Sequence, residues 1–374
     1  MRADQCFNTL PLFEFTHLLN MSDRAGMFQH AKFSLPDYFH GYCTDDNARA
    51  LILTIKLEQL GIVTPELKRI ASNCLAFLYY GLNRDSKRFK NFMDFKREWL
   101  EEQGSEDCHG RALWALGYVV STSAQKSLKN VASLLLKDAT LSLLSLTSPR
   151  AWAFSLLGVY ELLESTYRGD HEMEQIRDEL VMRLMGCYER CADEKWCWFE
   201  NVCTYSNAKL PHALILCGFQ SGREEVVNAG LKTLKWLLEV QTAKEGFFTP
   251  VGCNGFYPRK SLRAQFDQQP VEAACMVSAC SDAFRVTGER WWLLKAADVF
   301  QWFTGKNQLG VSLYDSSNGG CFDALTKEGL NYNQGAESTL SFLLSLAEMY
   351  HLRQEALTAA SGATEDRLLT TGGG

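Results

Sequence analysis

Six short polar or acidic clusters recur along the chain, each followed by a stretch rich in Ala, Leu and Gly that is apolar on nearly every helical face. The clusters are Thr44-Asp45-Asp46-Asn47, Ser105-Glu106-Asp107, Thr147-Ser148-Pro149-Arg150, Tyr205-Ser206-Asn207, Asp267-Gln268-Gln269-Pro270 and Asn333-Gln334-Gly335. Residues of these types satisfy the free N–H groups at a helix start, so the clusters read as N-caps. The stretches behind them, such as Ala151-Trp152-Ala153-Phe154-Ser155-Leu156-Leu157, have no wet side, and a helix of that kind is buried among other helices. Six such helices predict an inner ring with all six clusters gathered at one mouth.

Between these stretches lie segments of a different character: Glu66 to Leu82, Gln125 to Leu146, Glu172 to Cys191, Arg223 to Val240 and Gly288 to Phe303. Charges fall on one face and Leu, Val, Ile and Trp on the other, which predicts an outer layer of helices with one wet face. Phe7 to Asn20 is read as the partner of the first inner helix. The result is an all-α closed toroid of about twelve helices in six hairpins. The clusters stand roughly 43 to 65 residues apart, room for two helices and their loops, but their wording differs and no solenoid consensus appears. An open α-solenoid is the alternative architecture. No Pro- or Ser-rich linker divides the chain, and 374 residues with 46% hydrophobic content suffice for one large core. Residues 1–357 are read as a single barrel domain and 358–374, polar and Gly-ended, as a flexible tail.

Met1-Arg2-Ala3-Asp4-Gln5 lacks the basic and apolar regions of a secretion signal, and no apolar run is long enough for a membrane span. A cytoplasmic location is expected. Thirteen cysteines, several inside apolar helices (Cys74, Cys217, Cys275, Cys280) and none in a paired C-x-x-C arrangement, read mostly as reduced core residues. A net charge of −6 with scattered basic residues argues against nucleic acid as the main partner. The nucleotide-binding glycine loops, the Gly-x-Ser-x-Gly elbow and the His-Glu-x-x-His helix are missing. Read as a divalent-metal box, Thr44 to Arg49 lacks a third acid at the expected spacing. No cofactor and no metal is expected.

The mouth of the predicted ring carries Asp45, Asp46, Glu106, Asp107, Glu200, Asp267, Glu272 and Glu337, with amides at Asn47, Asn207, Gln268 and Gln269 and aromatic rings at Trp198, Tyr205 and Tyr332. Carboxylates and amides bind sugar hydroxyls, and aromatic faces cover the apolar C–H faces of sugar rings, so the mixture suits a carbohydrate. Each acid singly has a plain alternative as a cap or an ion-pair partner of Arg49, Arg111 or Lys209. Glu200, beside Trp198 and Phe199, is expected to be desolvated and held protonated, as a general acid must be. Glu272 and Glu337 sit among small apolar residues, where a charge needs a partner.

The segments Gly41-Tyr42-Cys43-Thr44-Asp45-Asp46-Asn47-Ala48-Arg49-Ala50-Leu51 and Phe266-Asp267-Gln268-Gln269-Pro270-Val271-Glu272-Ala273, with the helical rhythm over residues 5–355, give the chain a resemblance to the six-hairpin glycosidase superfamily. Their wording is also similar to uncharacterised bacterial proteins that accompany glycosyltransferases. The resemblance implies an (α/α)6 barrel with a site at the mouth and an oligosaccharide or glycoside as substrate. It carries no catalytic assignment, because fold is not function. With that resemblance an inverting glycoside hydrolase is expected, with an acid and a base roughly 6.5–9.5 Å apart. Asp107 or Glu200 is expected as the acid, and Asp46 or Asp267 as the base. Asp45, Asn47, Arg49, Glu106, His109, Arg111, Trp198, Tyr205, Asn207, His212, Gln268, Gln269, Glu272, Tyr332 and Glu337 are the expected substrate-binding residues. Two further readings stay open: a sugar epimerase or isomerase in which His109 and His212 exchange a proton at carbon, and a non-catalytic glycan-binding module that partners a glycosyltransferase.

Overall fold

The computed structural model describes Phe7 and residues 9–370, with side chains as far as residue 358. Met1 to Cys6, which hold the segment read for a secretion signal, Asn8 and residues 371–374 lie outside the described residues. In chain order the helices are α1 (Thr16–Asn20), α2 (Thr44–Gln59), α3 (Pro65–Gly81), α4 (Glu106–Thr122), α5 (Lys126–Ala139), α6 (Pro149–Leu163), α7 (His171–Cys191), α8 (Lys209–Gln220), α9 (Glu224–Val240), α10 (Pro270–Thr287), α11 (Arg290–Phe300) and α12 (Ala336–Thr370). The even-numbered helices form the inner ring. Each packs on the next, and α12 packs back on α2. That last contact closes the toroid and rules out the open solenoid.

The odd-numbered helices from α3 to α11 each pack outside the inner helix that precedes them. Helix α3 shows why: Leu67, Ile70, Ala71, Cys74, Leu75 and Leu78 recur at helical spacing and are buried, while Glu66, Lys68 and Arg69 stay exposed. Each large aliphatic side chain removed from water in this way contributes about 1.5–3 kcal/mol. The inner helices are buried almost all round, and small residues let them approach closely. A Cβ on Gly158 of α6 would stand 2.6 Å from Leu113 O of α4, and one on Gly110 would stand 2.7 Å from Ala151 O. The described cysteines are all free thiols, most of them buried in this core. Among the described residues no helix is long and apolar enough to cross a membrane.

The start of the chain departs from the expected long outer helix over Phe7 to Asn20. Residues 10–15 are not helical, and α1 packs on α12 rather than pairing at length with α2. Pro11 has no N–H and disfavours helical geometry at Leu10. The segment is instead tied to the loops before α12: His17 N donates to Asn318 O at 2.8 Å, and His17 Nε2 lies 2.7 Å from Gln334 O. At the other end α12 continues as backbone helix to Thr370, through the stretch read as a tail.

The loops in front of the inner helices are stitched to one another by two-stranded antiparallel pairs. Tyr42 and Cys43 pair with Met93 and Phe92, which joins the loops before α2 and α4. Val202 and Cys203 pair with Pro258 and Tyr257 before α8 and α10. A bridge from Gln268 to Leu325 joins the loops before α10 and α12. Residues far apart in sequence are thereby held around one mouth.

Candidate active site

Two of the six clusters cap their own helices as expected: Ser105 Oγ accepts from Cys108 N at 3.1 Å, and Ser148 Oγ accepts from Ala151 N at 3.4 Å. At α2 the cap is Cys43, whose Sγ accepts from Asp46 N at 3.4 Å, so Asp45 and Asp46 lie inside the first turn. The helices α8 and α10 have no side-chain cap of their own. Acids reach across the ring instead. Glu106 accepts from Thr147 N and Ser148 N at 2.7 Å each, in front of α6. Glu272 accepts from Ser206 N and, at 2.8 Å, from Asn207 Nδ2, in front of α8. Burial pushes the Glu272 carboxyl up to about 7 against the pull of those two donors. Glu106, Asn207 and Glu272 are therefore lashings between inner helices, and the first-turn partner that Glu272 needs is a neighbouring helix start.

A cavity of about 380 Å³ opens in the mouth, a size suited to a small-molecule site. Its walls include Asp45, Asp46 and Arg49 of α2, Phe92, Asp267 and Gln269 before α10, Asp323 and Asn331 before α12, and Glu337 in the first turn of α12. Arg49 is the hub, 2.8 Å from Asp46 and 2.5 Å from Glu337. Burial pushes the Asp46 carboxyl up to about 6, helped by the Glu337 charge and opposed by Arg49. Burial would raise Asp45 too, but Arg111 at 2.9 Å and Arg49 outweigh it and hold Asp45 below the usual carboxylate range. Burial also lifts Asp323 to about 6, although Gly335 N donates to it at 2.8 Å. Neighbouring acids in one cavity are thus driven apart in protonation, the usual preparation for acid–base work.

Asp267 differs from its neighbours. Its backbone sits in the left-handed region at φ +58°, where Asp is among the better tolerated side chains. Its half-buried carboxylate lines the cavity and has no hydrogen-bond or ion-pair partner among the described residues. Residues held in that backbone region cluster at functional sites.

Several expected site residues lie elsewhere. Asp107 accepts from Ser148 Oγ at 3.0 Å and Tyr205 OH at 2.7 Å. Glu200 is ion-paired with Arg150 at 2.7 Å, with the guanidinium over the Tyr205 ring. None of these three acids and rings lines the 380 Å³ cavity. Trp198 is fully buried and stacks on Trp236 at 5.7 Å, so it offers no face to a ligand. Asn47 spends its amide on Met27 N at 3.1 Å and Cys43 O at 2.8 Å. Gln268 is equally occupied, donating to Gln265 O and Thr249 Oγ1 and accepting from Trp302 Nε1. His109 is sealed behind Phe89 with its ring nitrogens against Phe89 N and Ala139 O, and burial drops it to about 3. His212 faces the axis of the ring below the mouth. Arg111 supports the cavity through Asp45, and Tyr332 stands on the surface, edge-on to Phe322.

Sequence reading missed Asp323, Gln29, His30 and Cys253, all on the cavity wall. They sit in loops, where no helical period fixes which way a side chain turns. The paired strands Ala324–Thr326 and Gly329–Asn331 just after Asp323 are the one local signal that this loop is ordered. No group of three or more His, Cys, Asp or Glu is placed to hold a metal ion among the described residues.

The fold recurs in solved structures of low sequence identity. A sugar epimerase from a ruminal bacterium superposes with a TM-score of 0.70 at 13% identity, over 94% of this chain and 99% of that one. Cellobiose 2-epimerase from Bacillus thermoamylovorans gives 0.69 at 12%, over 92% and 98%. A GH76 α-mannanase from Bacteroides thetaiotaomicron gives 0.63 at 9%, over 96% and 98%. No protein-family model and no curated protein sequence matches the chain. At such identities likeness speaks for the fold alone, and it agrees with the closed double ring of helices: this chain has an (α/α)6 toroid fold.

Proposed function

We propose that the chain is a glycoside hydrolase in which Asp46 is the general acid and Asp267 activates water. The observation that carries this reading is the pair of carboxyl groups on one cavity in contrasting surroundings. Asp46 is buried and pushed up to about 6, while Asp267 is half-buried with no partner. The acid is thereby assigned to Asp46 rather than to Asp107 or Glu200, whose carboxylates are engaged away from the cavity. Asp46 would protonate the glycosidic oxygen as the bond to the anomeric carbon breaks. Asp267, two places round the inner ring at the start of α10, would take a proton from the water that attacks that carbon. A single displacement of this kind inverts the anomeric centre. Arg49, Glu337 and Gln269, which line the same cavity, would hold sugar hydroxyls. The sugar substrate is supported by the names of the fold's relatives, an epimerase of sugars, a cellobiose epimerase and a mannanase.

The test is a panel of oligosaccharides and aryl glycosides followed by NMR of the product anomers. Cleavage with inversion is expected, and Asp46→Asn should lose at least about 10²–10⁴-fold on oligosaccharides, the usual worth of a positioned proton donor. Aryl glycosides with acidic leaving groups should suffer less, because they need no proton. Interconversion of free sugars without hydrolysis would replace this reading with an epimerase. Saturable sugar binding without turnover would replace it with a binding module, for which a glycosyltransferase is the partner to try.

A further inference from the structure

Below the mouth the axis of the ring holds a second space of about 80 Å³, enough for several waters or a two- to three-carbon molecule. Arg49 lines both this space and the mouth cavity. Lys56, Glu161 and Asp282 line both it and an opening of about 360 Å³ at the far face of the toroid. The first residue of α8, Lys209, projects into it. Its Nζ donates to Ser278 Oγ at 2.7 Å, lies 3.3 Å from His212 Nδ1 and sits 4.3 Å above the Trp114 ring. His212 Nε2 in turn lies 2.6 Å from Asp282 Oδ2. No carboxylate pairs with Lys209 among the described residues, although it is buried.

These contacts fix a direction for the protons. Asp282 is anchored as an anion by Arg285 at 2.7 Å, so His212 Nε2–H donates to it and His212 Nδ1 is left as an acceptor facing the lysine. The charged and titratable groups that line this space with Lys209 and His212 are Arg49 and Lys56 on α2, Tyr118 on α4, Glu161 on α6, Cys275 and Asp282 on α10 and Glu348 on α12. Burial leads these influences and holds the Lys209 ammonium below the usual lysine range. A carboxylate, an imidazole and a nucleophile in series form the arrangement by which a base, itself oriented by a third group, activates a nucleophile.

We infer that Lys209, with His212 and Asp282 behind it, is an imine-forming amine that captures small aldehydes entering the axial space. The Nζ lone pair forms a C–N bond as the carbonyl π bond breaks onto oxygen. One nitrogen proton passes by way of His212 to that oxygen, giving a carbinolamine. A second leaves the nitrogen as the hydroxyl departs as water and the C=N bond forms, so an amine and an aldehyde give an imine and one water, with no oxidation. This chemistry is separate from the carboxylate pair proposed for the mouth.

The experiment treats the folded chain with glycolaldehyde and sodium cyanoborohydride, which reduces any imine to a stable secondary amine, and maps the adducts by peptide mass spectrometry. At neutral pH Lys209 should be labelled at least ten-fold faster than exposed lysines such as Lys232. His212→Gln, with its helical content checked by circular dichroism, should slow Lys209 labelling by at least ten-fold. Labelling confined to surface lysines in the unaltered chain would overturn the assignment, and needs no variant to be read. Unchanged labelling in a folded His212→Gln protein would overturn the relay.

Discussion

At the scale of single residues, the site turns on Arg49 and the two acids it holds. An acid catalyst must be protonated, and burial places the Asp46 midpoint at about 6. Turnover should therefore fall as pH rises through about 6, which a pH–rate profile of kcat/KM will show. The Glu337 charge helps to keep Asp46 protonated, and Glu337 shares the Arg49 guanidinium with it. Glu337→Gln removes both effects, so the alkaline limb should move to lower pH. A limb that stays in place, or moves up, would count against Asp46 as the titrating acid.

At the scale of helices, the closest approach in the inner ring is made by glycine. Gly158→Ala would push a methyl group against Leu113 O and should cost about 1–3 kcal/mol. Gly186→Ala, on the outer helix α7, meets only the flexible end of Arg190 and should stabilise by about 0.5–1 kcal/mol. Thermal unfolding of the two variants separates them by sign. The same contrast between inner and outer helices made the fold readable in sequence, since a helix apolar all round and a helix with one wet face differ in period and composition. The N-terminal pairing was misread because Pro11 interrupts an otherwise apolar segment. The site was less legible. Asp46, Arg49, Asp267 and Glu337, which line the cavity, stood next to helix starts and were read as candidates, but a first-turn acid serves equally to hold a neighbour, as Glu106 and Glu272 do. Which acids face a cavity depends on the loops, and Asp323 lies in one whose direction only the paired strands set.

At the scale of the whole molecule, buried acids give stability a pH dependence from both sides. Burial raises Glu161 and Glu272 to about 7 from an ordinary value of 4.5. The folded chain then holds protons that the unfolded chain releases, so stability falls as pH rises from about 4.5 to 7. Burial would raise Glu348 as well, but Arg285 and Lys56 bring it down to about 2, and its contribution is lost as pH falls below about 4.5. Stability should peak near pH 5, and Glu161→Gln should flatten the alkaline side, by roughly 1–3 kcal/mol at pH 8. Urea unfolding at pH 3, pH 5 and pH 8 checks both. The most direct test of the mouth as a hydrolytic site is to incubate wild type, Asp46→Asn and Asp267→Asn with the same oligosaccharide panel, and to follow product anomers by NMR beside sugar-dependent thermal shifts. Inverted product from wild type alone, with sugar shifts kept in both variants, is the expected result; equal turnover in all three proteins, or sugar binding with no turnover in any, would contradict it.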